Sequence, residues 1–78
     1  MGKSAPQNII GPVVRKIRYG QGLTQAMLSA RCTHAGWDIG ENTISKIEAQ
    51  VRCVKDSEMV YLAKALKVKE QDLFPLSR

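Results

Sequence analysis

The stretch at residues 23–50, LTQAMLSARCTHAGWDIGENTISKIEAQ, constrains the fold most. It reads as two helices joined by a turn. Thr24 is a good N-cap, and Leu23 before it can pack back on Met27 or Leu28 as a hydrophobic staple. Gly36 ends this helix. The second helix spans residues 41–49, with Gly40 as N-cap and Glu41 at the positive end of the helix dipole. Ile44 and Ile47 share its inner face. At about 100° per residue, Asn42, Ser45, Lys46 and Ala49 then point outward, and Glu48 falls on the flank beside the core. The rest of the chain reads as support that holds this short helix at a surface.

That support is helical as well. In residues 10–19, Ile10, Val14 and Ile17 recur at i, i+4 and i+7, and Pro12 suits a first turn, where its missing N–H is harmless. Gly20-Gln21-Gly22 stops this helix, with Gly20 available for the left-handed exit. Asp56 is the expected N-cap of another helix, whose Met59, Leu62, Ala63 and Leu66 form one apolar stripe. A short helical turn over residues 70–74 follows, closed by Pro75, with Leu73 and Phe74 expected to cap the open end of the core. Trp37 is the only tryptophan. It is read as packing over the helix pair, with an exposed contact as the alternative, since an isolated ring buries well. No segment alternates like a strand. The expectation is an all-α fold, a compact bundle of five short helices, with residues 1–8 a flexible tail and residues 9–76 one domain.

Size and charge narrow the function. A chain of 78 residues hides only roughly 60% of the surface its unfolded form exposes, which leaves no room for a large substrate cleft. Its net charge is +5. Residues 1–55 hold eight Lys or Arg against three acids, whereas residues 56–78 hold four of each, so the excess lies with the two-helix stretch. A basic face is the footprint expected for a polyanion, although charge also serves solubility. Lys3 in the tail could reach a phosphate or simply be solvated. Two cysteines, Cys32 and Cys53, make no disulfide framework. With His34 they lack paired metal-ligand spacing and a fourth ligand, so no metal site and no cofactor are expected. A lone His and a helix-face Cys with no orienting group make no nucleophilic site, so no enzymatic activity is expected. The polar start and the lack of a long apolar run imply no secretory signal and no membrane span, hence a cytoplasmic protein.

In order along the chain stand Ile17-Arg18 before a glycine-containing turn, Leu23-Thr24-Gln25, residues 43–48 (TISKIE), residues 62–68 (LAKALKV) and Asp72-Leu73-Phe74. Together these segments resemble the Cro/repressor-type helix-turn-helix family (the xenobiotic-response-element class), small prokaryotic and phage DNA-binding domains of lambda-repressor-like fold. The resemblance covers nearly the whole chain. The link between Leu28 and Ile44 is longer than the family's usual form, as in a variant carrying an Ala-Gly-Trp-Asp-Ile-like segment. Met27 stands where the family often has an acidic capping residue, and Lys67 where it often has glycine.

The resemblance implies a transcriptional regulator, a repressor in its simplest mode, associated with the nucleoid and bound to double-stranded DNA. Side chains in the first half of a recognition helix meet base edges in the major groove. Asn42 can make a two-point contact with adenine, Lys46 can reach guanine acceptors or a phosphate, and Ser45 can donate to either. Thr43 can meet a phosphate or a thymine methyl. Glu41 could accept from cytosine or serve only the helix dipole. By family position Gln25 should touch a phosphate, and Arg18 should pair with Glu48 to tie the first helix to the third. Arg52 and Lys55, which follow the recognition helix, are candidate phosphate contacts. Arg15 and Lys16 are candidates too, or ordinary solvated charges. The family commonly binds as a dimer, so a weak homodimer through Leu73, Phe74 and Leu76 is expected, with no small-molecule effector evident. The alternative is a protein-interaction module on the same fold, such as an antitoxin or an adaptor for transcription machinery.

Overall fold

The computed structural model describes residues 6–75. Among them are four α-helices and a closing 3-10 turn, with no strand: α1 (Gly11–Gly20), α2 (Gln25–Ala35), α3 (Glu41–Glu48), α4 (Asp56–Leu66) and the turn Glu70–Leu73. The fold is all-α. α2 packs on both α3 and α4, α1 packs on α3, and the closing turn packs on α4. The core they share contains Ile10, Val14, Leu23, Leu28, Cys32, Ile44, Leu62, Leu66 and Leu73, all buried. Nearly every apolar residue in it lies on a helical stripe legible in the chain.

All four α-helices stop in the same way. Each has a backbone N–H that bonds five residues back, from Leu23 to Arg18, Trp37 to Cys32, Val51 to Lys46 and Val68 to Ala63. The residue before each of these donors is left-handed: Gly22, Gly36, Gln50 and Lys67. This is the Schellman arrangement, and it satisfies carbonyls the helix end would leave unpaired. The expectation for Gly20 is corrected here. Gly20 is the last helical residue of α1, and Gly22, two residues on, takes the left-handed turn at φ 69°.

Two other expected boundaries shift for identifiable reasons. Asp56 opens α4 as its first residue, and Lys55 is the N-cap. The Glu58 carboxylate accepts the Lys55 backbone N–H at 3.0 Å, which sets the start one residue early. Residues 1–5, Lys3 among them, lie outside the described residues, but Asn8, assigned to the tail, is anchored. Its amide donates to the carbonyls of Ile47 (3.1 Å) and Arg52 (2.8 Å), and its Oδ1 accepts the Gly11 N–H (2.7 Å). Gln50 donates its side-chain amide to the Asn8 carbonyl at 2.9 Å and accepts the Gln7 N–H at 2.8 Å. The segment before α1 is therefore stitched to the end of α3. Gly11 sits inside that stitch, where a Cβ would overlap the Ile47 carbonyl oxygen.

The expected core cap forms through Leu73 and not through Phe74. Leu73 is fully buried and belongs to the core, so it cannot serve as a dimer contact in this conformation. Phe74 is 43% exposed and covers little. Its backbone turns extended after the 3-10 segment, which swings the ring outward. Leu76, the third residue assigned to a dimer contact, lies outside the described residues.

Candidate nucleic-acid interface

α3 is two-sided. Ile44, Ile47 and Glu48 are buried, and Glu41, Asn42, Ser45, Lys46 and Ala49 are exposed, with Thr43 half-buried between them. The outward stripe is polar or small, and its carboxylate and its lysine stand at opposite ends. α2 lies behind it. Thr24 accepts the Met27 N–H at 3.0 Å, and the Met27 sulfur lies 3.5 Å from the Thr24 N–H. A thioether thus stands where an acid would complete a capping box, as a weak acceptor.

Glu48 fixes how α3 sits. Its Oε2 accepts from Arg18 Nε at 2.6 Å, and its Oε1 accepts from Arg18 Nη2 at 2.9 Å and from Gln25 Nε2 at 3.1 Å. Arg18 also donates to the Leu23 carbonyl at 2.8 Å. Arg18 is 5% exposed and Glu48 7%. The hydrogen bond to Glu48 holds the Arg18 guanidinium above its ordinary pKa, against the opposing effect of burial. One planar fork therefore links α1, the turn after it and α3, and Gln25 adds α2 through Glu48. Gln25 joins the same cluster, so one of its amide hydrogens is committed to Glu48.

A second cluster braces the other flank. Arg52 grips Glu58 with two bonds of 3.0 and 3.1 Å and also donates to the Cys53 carbonyl. The Arg52 guanidinium stands 5.9 Å from the centre of the Trp37 ring. Trp37 in turn stacks on Tyr61 of α4, with centroids 6.1 Å apart and planes 28° from parallel. Trp37 is half-buried against the core, so packing is its role here. The lengthened α2–α3 connection is thereby tied to α4. Arg52 sits inside this brace with both terminal guanidinium nitrogens engaged. Its place just after α3 did not reveal this internal partnership. Lys55 is exposed.

Arg15 behaves differently. It lines a shallow notch of about 240 Å³ together with Arg18, Tyr19, Gln25, Ser45, Glu48 and Ala49. Lys16, its neighbour in sequence, faces away toward Asp72 and Pro75. Tyr19 was not singled out from the sequence. The signal was present, because Arg15 and Tyr19 are four residues apart and share a helix face.

Both cysteines are free, Cys32 buried and Cys53 exposed. Burial pushes the Cys32 thiol up to about 11. Among the described residues no three His, Cys, Asp or Glu side chains group as metal ligands. Nor is any described helix long and apolar enough to cross a membrane.

A helix pair joined by a capped turn, with the second helix buried on one side and bare on the other, defines a helix-turn-helix fold. No protein-family model and no curated protein matches the chain. Among solved structures it is similar to the restriction-modification controller protein C.AhdI from Aeromonas hydrophila. The two are 28% identical over 83% of this chain and 87% of that one, with a TM-score of 0.71.

Proposed function

We propose that this protein is a sequence-specific DNA-binding transcriptional regulator that reads the major groove with the outward face of α3. The observation that carries the reading is the exposed stripe Asn42, Ser45 and Lys46 on a helix whose other side is locked into the core. A recognition element needs short polar side chains free of internal partners and a helix that cannot rock beneath them. The likeness to a restriction-modification controller supports the same reading. Asn42, Ser45 and Lys46 contact base edges, with Thr43 at the rim. Gln25 contacts a phosphate through its remaining amide hydrogen, and Lys55 holds the backbone beyond α3. A bound regulator this small acts most simply by occluding its site, which makes repression the simplest output. Two copies on adjoining half-sites would form a weak dimer. With Leu73 buried, its contacts would fall to Phe74 and its neighbours.

A gel-shift titration against a pool of random duplexes at graded salt tests this. Binding should be detectable at low salt and weaken steeply as salt rises, because counterions are released when phosphates are neutralised. Folded protein that binds no duplex at low salt would sink the reading and favour a protein partner instead.

A further inference from the structure

We propose that the notch between α1, the start of α2 and the second half of α3 seats one DNA backbone phosphate, with Arg15 supplying the charge and Tyr19 a hydroxyl donor. The inference rests on the DNA-binding reading above and adds a subsite to it. Four observations converge. First, the notch brings together Arg15, Tyr19, Gln25 and Ser45, each able to donate a hydrogen bond, from three different helices. Second, its only carboxylate is spent. Both Glu48 oxygens are occupied by Arg18 and Gln25, so the buried pair is neutral overall and Arg15 leaves the notch with one net positive charge. Third, Arg15 forms no salt bridge among the described residues, whereas Arg52 on the other flank does. Fourth, Tyr19 is 61% exposed yet is held in place. The Arg18 guanidinium, itself fixed by Glu48, lies 4.6 Å from its ring centre, and Arg15 lies 5.5 Å from it. Stacking on arginine accounts for where the ring sits. It does not account for a donor-rich notch opening beside the reading face, next to Ser45.

The geometry also places the notch where a backbone should run. Ser45 and Ala49 belong both to the outward stripe of α3 and to the notch or its rim. A strand whose bases meet Asn42 and Lys46 has its sugar-phosphate chain to one side of α3, and the first helix of such a pair, here α2, crosses that chain; the notch opens between the start of α2 and α1. A phosphate contact positions the protein without reading sequence.

The test is a binding titration at graded salt, using a duplex selected by the wild-type protein. Three variants are compared with wild type: Arg15→Ala, Tyr19→Phe and Lys64→Ala. Lys64 is exposed on α4, in a groove facing α2, and controls for the loss of one positive charge. Arg15→Ala should lower the slope of log affinity against log salt by about 0.9, the value for one phosphate contact. Lys64→Ala should leave the slope nearly unchanged. Tyr19→Phe should keep the slope and weaken binding about tenfold, as expected for losing a hydrogen bond to a charged group. Replacing single phosphates by neutral methylphosphonates should reveal one position that weakens wild type but has no further effect on Arg15→Ala. If wild type binds while Arg15→Ala keeps both slope and affinity, the notch is not a phosphate seat and the DNA reading stands. Failure of wild type to bind any duplex overturns both.

Discussion

Two arginines flank α3, and the structure uses them in opposite ways. Arg52, just after α3, is gripped by Glu58 and set against Trp37. Arg15, far from α3 in sequence, lines an open notch against its second half with no carboxylate partner among the described residues. Nearness to α3 along the chain thus does not decide which arginine is left without an acid partner. What separates the two is the location of acids. α4 begins with Asp56 and Glu58, and the glutamate turns back to meet the loop that carries Arg52. The C-terminal half of α1 has no acid, and the single carboxylate opposite it is consumed by Arg18.

The largest effect is expected where the scaffold is buried on the open flank. Glu48→Ala leaves Arg18 charged and unpaired inside the protein, and urea unfolding should show a loss of roughly 3–5 kcal/mol. A midpoint equal to wild type would mean that α3 is held by apolar packing alone. Next comes the closed flank. The Arg52–Glu58 pair is partly exposed, so Arg52→Ala should cost about 1 kcal/mol, at the upper end for accessible pairs. Trp37 emission, a single-tryptophan signal, should shift while the salt slope of DNA binding does not. A slope reduced as much as in Arg15→Ala would return Arg52 to the interface.

A smaller effect concerns acid. The Arg52 guanidinium holds the Glu58 carboxyl below its ordinary range, with the Lys55 N–H adding to this and burial opposing it. A depressed carboxyl contributes stability that is present above its unfolded pKa of about 4.3 and is lost as pH falls through the lower folded value. Glu58→Gln should therefore reduce stability at neutral pH and narrow its gap to wild type in acid. A gap constant from neutral pH to pH 2 would show that the pair is not formed in solution. The smallest effect is local. Arg15, and then Arg18, hold the Tyr19 phenol below its usual range. Arg15→Ala should raise the Tyr19 titration, followed by NMR, without changing the unfolding midpoint. An unmoved titration would place Arg15 away from Tyr19.

Much of the fold could be read from the chain because it rests on local rules. Apolar residues at helical spacing, Thr24 as a cap and Gly36 as a stop act within a turn or two of themselves. The inward and outward faces of α3 follow from the same periodicity. The Arg18–Glu48 link came only with the resemblance, since a contact spanning 30 residues leaves no trace in local spacing. The remaining features depend on tertiary geometry. The two side-chain-bearing left-handed residues, Gln50 and Lys67, take a conformation that glycine adopts more readily. Local spacing announces neither, and only the resemblance sets Lys67 at a position where glycine is common. At Gln50 the side chain anchors Asn8, which turns an apparent tail residue into a tether. The Trp37–Tyr61 stack and the Arg15–Tyr19 notch likewise required knowing how the helices cross.

The central claim is that Asn42, Ser45 and Lys46 read bases from a helix fixed by the scaffold behind it. Selection from random duplexes, run in parallel with wild type and Asn42→Ala, tests it most directly. Wild type should enrich a defined motif, and Asn42→Ala, with an unchanged urea midpoint, should enrich the same motif relaxed at one base pair. Identical motifs from the two proteins, specified equally at every position, would contradict it.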